Sequence, residues 1–327
     1  MARGEPMSFL EFQERFSTEE ACYEYLFNAR WPDGFVCPHC GCKEYYLVSR
    51  RRLYQCRCCD YQDSLTAGTI FHKTRTPLRK WFLAIFLGPP WPSATSGVPP
   101  VLPLAAPLMP WAWREYAAKD KRGISALALM GHIDVSYPTG CLMLHKIRAA
   151  MSHRDGKYQL SGFIQLDEAF SGGPNGKQGR GTGKATAYVA VSTAEDGKPL
   201  YAKALVVDRI NKETAVDFAR YLLPGCAVTT DGLNVYPRLK GQGYAHKAVP
   251  SSSSEAERAL QWANTVVSNA KAFISGTYHG PMKKHLQSYL NEYLYRFNRR
   301  WWQPELFDRL LSACITGPIV TYADLTL

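Results

Sequence analysis

Two aspartates carry the first chemical signal. Asp167 in GFIQLDEAF and Asp231 in CAVTTDGLNVY each stand at the end of a short run that reads as a strand. Alone, an Asp ending a strand is an ordinary turn residue. Two at equivalent strand ends, in a basic chain, are oxygen donors able to bridge two Mg²⁺ ions. One ion would activate an attacking oxygen and the other would steady the leaving oxygen of a phosphodiester. A third carboxylate lies in YLNEYLYRFNRRWW (289–302), where Glu292, Arg296 and Arg299 fall four and seven residues apart along one helical stripe. That stripe reads either as a surface salt bridge or as the last carboxylate of a metal-dependent site with two cations beside it.

The cysteines suggest a different metal. Six of the ten fall between Cys37 and Cys59, in CPHCGC and CRCC. Cys37 and Cys40 form one C-x2-C knuckle, Cys56 and Cys59 another, and fifteen residues separate them. Four thiolates so spaced can surround one structural Zn²⁺ and leave no open position for substrate. The intervening EYYLVSRRRLYQ is expected as strand, basic turn and strand, the body of a zinc ribbon, with Cys42 and Cys58 as spare thiols. Arg50, Arg51 and Arg52 at its tip would suit phosphates or simply be solvated.

The elements that must position these groups change character along the 327 residues. A helical segment (1–30) precedes the ribbon (31–70). A second helical region (71–160) holds PLRKWFLAIFL and GISALALMGHIDVSYPTGCLMLHKIRAAM; the latter reads as a helix-turn-helix or as a plain helical hairpin. Within that region a proline-rich insertion (88–116) has eight prolines between Pro89 and Pro110 and cannot be helix. From 161 the period becomes two residues. FIQLDEAF, ATAYVAVSTAE and LYAKALVVD are three strands, NKETAVDFARYLL a helix, AVTTDG a fourth strand, and two helices follow. That order is the one of a ribonuclease H-like α/β domain, expected over 161–302, in which strands one and four are neighbours and bring Asp167 to Asp231. Residues 303–327 are expected as a tail. The fold class is therefore multidomain: a zinc ribbon with a helical region, then an α/β catalytic domain.

Composition agrees with a folded protein that meets a polyanion. Hydrophobic residues make up 46%, the formal charge is +11 and the pI is about 9.1. MARGEPMSFLEFQERF has acids where a secretory apolar region should be, and no apolar run approaches membrane-spanning length, which predicts a soluble, cytoplasmic protein without a membrane partner. The basic turn NGKQGRGTGK offers Lys177, Arg180 and Lys184 to a DNA backbone, or is a solvated hairpin tip.

These stretches together resemble a bacterial insertion-sequence transposase of the ISXO-two-like group (family fifteen-ninety-five, related to Merlin elements). CPHC…CRCC, TAGTIFHKTRTPLRKWFLAIF, KDKRGISALALMGHIDVSYPT, IQLDEAFSGG, TTDGLNVY, WANTVVSNAKAFISGTYHG and YLNEYLYRFNRR carry the resemblance. It implies metal-dependent cleavage and strand transfer of DNA ends, with Mg²⁺ or Mn²⁺ as catalytic metal. It further implies element terminal inverted repeats and target DNA as partners, a homo-oligomer on DNA, and a place at the bacterial nucleoid. Members of the family with asparagine as third residue imply a site of Asp167, Asp231 and Asn264, with Lys271 seven residues on, and Glu292 with Arg296 and Arg299. Asn264 and Glu292 compete for the third place at the metal; Lys271, Arg296 and Arg299 would bind phosphate. The role of His279 in GTYHG stays open. The insertion at 88–116 departs from the family pattern, so the alternative is a transposase-derived zinc-ribbon DNA-binding protein that has lost catalysis.

Overall fold

The computed structural model describes residues 6–88, 123–171, 185–231, 233, 236, 243–250, 255–278 and 283–326. The chain forms two compact units, one of 1–154 with 301–327, the other of 155–300. The insertion at 88–116, apart from Gly88, and the basic turn with Lys177, Arg180 and Lys184 lie outside the described residues, as does His279.

In the first unit, helix α1 (Phe9–Arg15) opens on a capping box between Ser8 and Glu11, and α2 (Glu19–Arg30) opens on Thr18. Helix α3 (Leu78–Leu87) has proline before its first residue and borrows its cap from elsewhere. The carboxylate of Glu19 accepts from the N–H groups of Leu78 and Arg79, at 2.7 and 3.0 Å. Phe12, Phe16 and Phe82 are buried between these helices. Phe307 joins them with ring centroids 5.4 to 6.1 Å away. Phe307 belongs to a helix at Leu306–Thr316, so residues 303–327 are not merely a tail: the apolar face Leu306, Phe307, Leu310, Leu311 and Cys314 is part of this core.

The ribbon is an antiparallel sheet of β1 (Tyr45–Val48), β2 (Leu53–Cys56) and β3 (Gln62–Ser64), in that order. The first two are the expected strands and the third is additional. Arg30 ties it to α2, donating to the carbonyls of Ser64 and Leu65 at 2.7 and 2.6 Å and pairing with Asp63 at 3.1 Å.

Helix α4 (Ala126–Ile133) ends at Asp134, which takes a left-handed conformation (φ 50°), and α5 (Tyr137–Asp155) begins three residues on. Gly140 permits the two helices to approach closely, since a Cβ there would lie 3.3 Å from the carbonyl of Ala126. A helix, a tight turn and a helix therefore stand where expected. From Gly140 to Met151, however, no residue of α5 is exposed; only its two ends are.

The second unit is a five-stranded mixed sheet, β6-β5-β4-β7-β8. Strands β4 (Phe163–Ser171), β5 (Ala185–Thr193) and β6 (Pro199–Val207) are antiparallel neighbours. Helix α6 (Lys212–Ala219) crosses to β7 (Ala227–Thr230), which runs parallel to β4, and β8 (Ala245–Ala248) runs parallel to β7. On one face, Ile164, Leu166, Tyr188 and Ala190 pack with Phe218 of α6. After a short helix α7 (Ala256–Ala259), helices α8 (Gln261–Thr277) and α9 (Leu286–Asn298) complete the unit.

Strand β6 is an edge, and alternate residues turn their peptide groups away from β5. Side chains at both ends of α9 and just beyond it satisfy these groups. Gln287 accepts from the N–H of Val206 at 2.7 Å and donates to the carbonyl of Ala204 at 3.1 Å. Asn298 accepts from the N–H of Ala202 at 2.7 Å and donates to its carbonyl at 3.0 Å. Arg300 donates to the carbonyl of Leu200 at 3.0 Å. The helix that carries Glu292 is thereby fixed in rotation along the sheet.

Candidate functional site

The four expected zinc ligands converge. Sγ of Cys37 lies 3.7 Å from that of Cys59, and Sγ of Cys40 lies 3.5 Å from that of Cys56. All four sulfurs lie within 4.8 Å of one another. Four sulfurs each ~2.3 Å from a central Zn²⁺ sit ~3.8 Å apart, so the cluster fits one tetrahedral zinc. Each knuckle is closed by its own backbone: Gly41 N–H donates to the Cys37 carbonyl, and Asp60 N–H to that of Cys56. Aromatic rings of Phe27, Trp31 and Tyr54 pack against Phe35 and the inner cysteines, a core too small to hold the ribbon without the metal. Cys42 and Cys58, expected as spare thiols, are joined as a disulfide; the knuckles bring their Cα atoms to 6.3 Å.

The carboxylate pair also converges, by a register argument. Phe163, Ile164 and Gln165 of β4 pair with Ala227, Val228 and Thr229 of β7. Continuing that register by two residues sets Asp167 opposite Asp231. Asp167 lies in the middle of β4 rather than at its end, because the partner β5 continues alongside to Ser171 while β7 stops at Thr230. Beyond that stop no ladder partner on the β7 side of β4 is found among the described residues, and the carboxylates occupy that edge. Asp231 is oriented by the N–H of Leu233 at 3.2 Å, Asp167 by that of Glu168 at 2.8 Å. Burial holds the Asp167 carboxyl above the usual range; the Glu168 amide opposes this, Asp231 adds to it, and the charge of Lys271 pulls it back.

Lys271 comes from α8, whose start is docked on β4. The Gln165 side chain accepts from the N–H groups of Trp262 and Ala263, at 2.8 and 3.2 Å. Ala263, Val266, Ala270, Phe273 and Ile274 form the buried face of this helix. Asn264 and Lys271 share its exposed stripe, as their spacing requires.

Glu292 is not a surface residue. It is 3% exposed, and its carboxylate accepts from the hydroxyl of Tyr278 at 2.8 Å. The ring of Tyr278 stacks on Tyr289 at 4.0 Å. Arg296 is enclosed too, its guanidinium 5.1 Å from the centre of Phe273. Arg299 pairs with Asp155 at 2.7 Å and lies over the ring of Tyr295. Both guanidinium groups thus serve the interior of the unit, and of the three expected phosphate binders only Lys271 is exposed.

One carboxylate was missed by sequence reasoning. Ligand oxygens of Asp167, Glu168 and Asp231 lie within 4.8 Å of one another, a grouping that could hold a divalent metal ion. Glu292 is not in that group. Glu168 escapes notice because period-two alternation assigns it to the face opposite Asp167; its one available signal is adjacency in LDEAF.

Residues 159–298 match the ISXO2-like transposase domain, and residues 17–62 match the transposase zinc-ribbon domain. The chain is 32% identical over 74 residues to an uncharacterized protein in transposable element ISH50 of Halobacterium salinarum. That match covers 22% of this chain and 25% of that protein, so the chain spans about a quarter of the relative's length. Among solved structures, a chain from the simian T-cell lymphotropic virus intasome in complex with PP2A regulatory subunit B56 gamma shares 15% identity at a TM-score of 0.30. The likeness covers 51% of this chain and 63% of that one, and is too slight to support any inference. Among the described residues no helix is long and apolar enough to cross a membrane.

Proposed function

We propose that this chain, a member of the ISXO2-like transposase family by its two matched domains, is a DNA transposase that cleaves element ends and joins them to target DNA at the Asp167–Asp231 site. The observation that carries this reading is the convergence of Asp167 and Asp231 across parallel strands, with the charge of Lys271 acting on Asp167 from α8. The strand order, in which the first strand lies between the second and the fourth, is that of ribonuclease H-like domains and supports the same assignment.

A bound divalent metal would supply the Lewis acidity that phosphodiester cleavage needs, and the oxygen donors present suit Mg²⁺ or Mn²⁺. Asp167 and Asp231 would hold it where β7 leaves the edge of β4 open. Lys271, with Asn264 on the same exposed stripe, would draw the scissile phosphate toward the carboxylates and offset their charge. Water attacks first; the freed 3′-hydroxyl then attacks the target strand, with no covalent enzyme intermediate. Glu292, enclosed and held by Tyr278, acts by ordering α8 against α9. The zinc ribbon and the exposed first turn of α5 would bind the terminal repeats, the chain's positive charge would favour the DNA backbone, and joining two ends would require at least two copies.

Nicking of a labelled DNA carrying an element end tests this. Zinc-loaded protein should cut only with Mg²⁺ or Mn²⁺ present, and Asp167→Asn or Asp231→Asn should abolish cutting while end binding persists. End binding without cutting by the parent protein would reduce the reading to a DNA-binding relative of transposases.

A further inference from the structure

The transposase reading places two aspartates at the metal, which leaves two negative charges to face divalent cations. The geometry points to a third: we propose that Glu168 is a metal-ligating carboxylate of this site, set in place by the hydroxyl of Tyr236. The inference rests on the proposed function and deepens it.

Consecutive residues of a strand point to opposite faces. Leu166 follows that rule and packs with Tyr188 and Phe218, and Glu168 begins on the same side. Yet its ligand oxygen lies within 4.8 Å of those of both Asp167 and Asp231. The early end of β7 explains how. Pairing with β4 stops at Gln165, so beyond that residue a side chain can swing through the open edge toward the aspartates.

Tyr236 explains why it does so. Its hydroxyl donates to Oε1 of Glu168 at 2.9 Å, and the residue is wholly buried in the core on the α6 side. Tyr236 also belongs to the segment that begins with Asp231. Leu233 N–H donates to Asp231, and Tyr236 N–H donates to the carbonyl of Leu233 at 3.2 Å. One segment thus orients Asp231 directly and Glu168 through Tyr236.

A solely structural role for Glu168 fits less well. A buried tyrosine needs an acceptor, but a carbonyl or amide oxygen would serve; a third carboxylate gathered beside two others is what a divalent cation requires. A hydroxyl on the outer side of a metal-binding carboxylate is the usual support for such a ligand.

The test is Mn²⁺ binding to the zinc-loaded full chain, measured by calorimetry and by the electron paramagnetic resonance of bound Mn²⁺. Glutamine still accepts from Tyr236, so Glu168→Gln should keep the fold and lower Mn²⁺ affinity by roughly 10- to 100-fold; Tyr236→Phe should lower it about tenfold. Parent-like affinity in Glu168→Gln, with binding lost in Asp167→Asn, would overturn this proposal and leave the site reading standing. Parent-like affinity in both would overturn the site itself. Should Glu168→Gln not fold, Glu168→Asp keeps the charge but shortens the reach: a loss of about tenfold supports ligation, and unchanged affinity refutes it.

Discussion

Replacing Asn298 by alanine isolates what ties α9 to the sheet. Asn298 is 1% exposed, and beyond its two bonds to Ala202 it donates to Asp155 at 3.1 Å and to the Tyr158 hydroxyl at 2.8 Å. Truncation strips the outward N–H and carbonyl of Ala202. A buried polar group left without its partner costs ~1–3 kcal/mol, so two give ~2–6 kcal/mol. Water can reach an edge strand more easily than a central one, which places the expected loss near ~2–3 kcal/mol. Asp155 adds little, since Arg299 still pairs with it at 2.7 Å. The two units need not unfold together, so a single denaturation curve is a poor assay. Amide hydrogen exchange over peptides of β6 reads the local loss directly. Exchange should quicken by roughly 30- to 140-fold, since each ~1.4 kcal/mol is tenfold. Rates within about threefold of the parent would mean that apolar packing of α9, not the amide bonds, holds the edge.

Other outcomes follow from the two metal sites. The double change Cys56→Ser, Cys59→Ser should abolish the single Zn²⁺ per chain and make residues 31–64 protease-sensitive; full zinc occupancy on metal analysis would refute the ligand set. Glu292→Gln keeps an acceptor for Tyr278 and should leave Mn²⁺ affinity within about twofold of the parent, whereas a tenfold loss would put Glu292 at the metal. Because the Asp167 carboxyl lies above its ordinary value, mainly through burial, the native state holds that proton more tightly than the unfolded chain. Zinc-loaded protein without Mg²⁺ or Mn²⁺ should therefore gain stability as pH falls through this raised value, in a window opening above ~4. Amide hydrogen exchange over peptides of β4 and β5 in Asp167→Asn should lack that gain, and an identical pH profile in the variant would refute it.

The aspartate pair was legible because each member closes a strand-like run, and because neighbouring parallel strands align such positions. How far each strand continues was not. β4 runs on past Asp167 because β5 pairs along its whole length, and no local pattern in LDEAF reports that. Glu168 was hidden for the same reason, since alternation describes a paired strand and fails where the partner stops. AHKA (245–248) has too few apolar residues to announce β8, which owes its place to backbone pairing with β7. Glu292, Arg296 and Arg299 were found by spacing, but spacing shows only that they share a stripe. That the stripe is enclosed depends on Tyr278 and on Asp155, partners outside the helix itself.

The helix at Leu306–Thr316 has a consequence for the order in which the protein can mature. Synthesis proceeds from the N-terminus, so residues 155–300 are complete before Phe307 leaves the ribosome. The second unit has every strand and helix it needs by then. The first unit, begun earlier, still lacks the ring that meets Phe12, Phe16 and Phe82. The segment translated first is thus the last to receive all of its core. A frameshift or stop after Arg300 would spare the carboxylate unit and cripple the helices at the other end of the sequence. Damage near the C-terminus should therefore appear as a defect of the N-terminal helices.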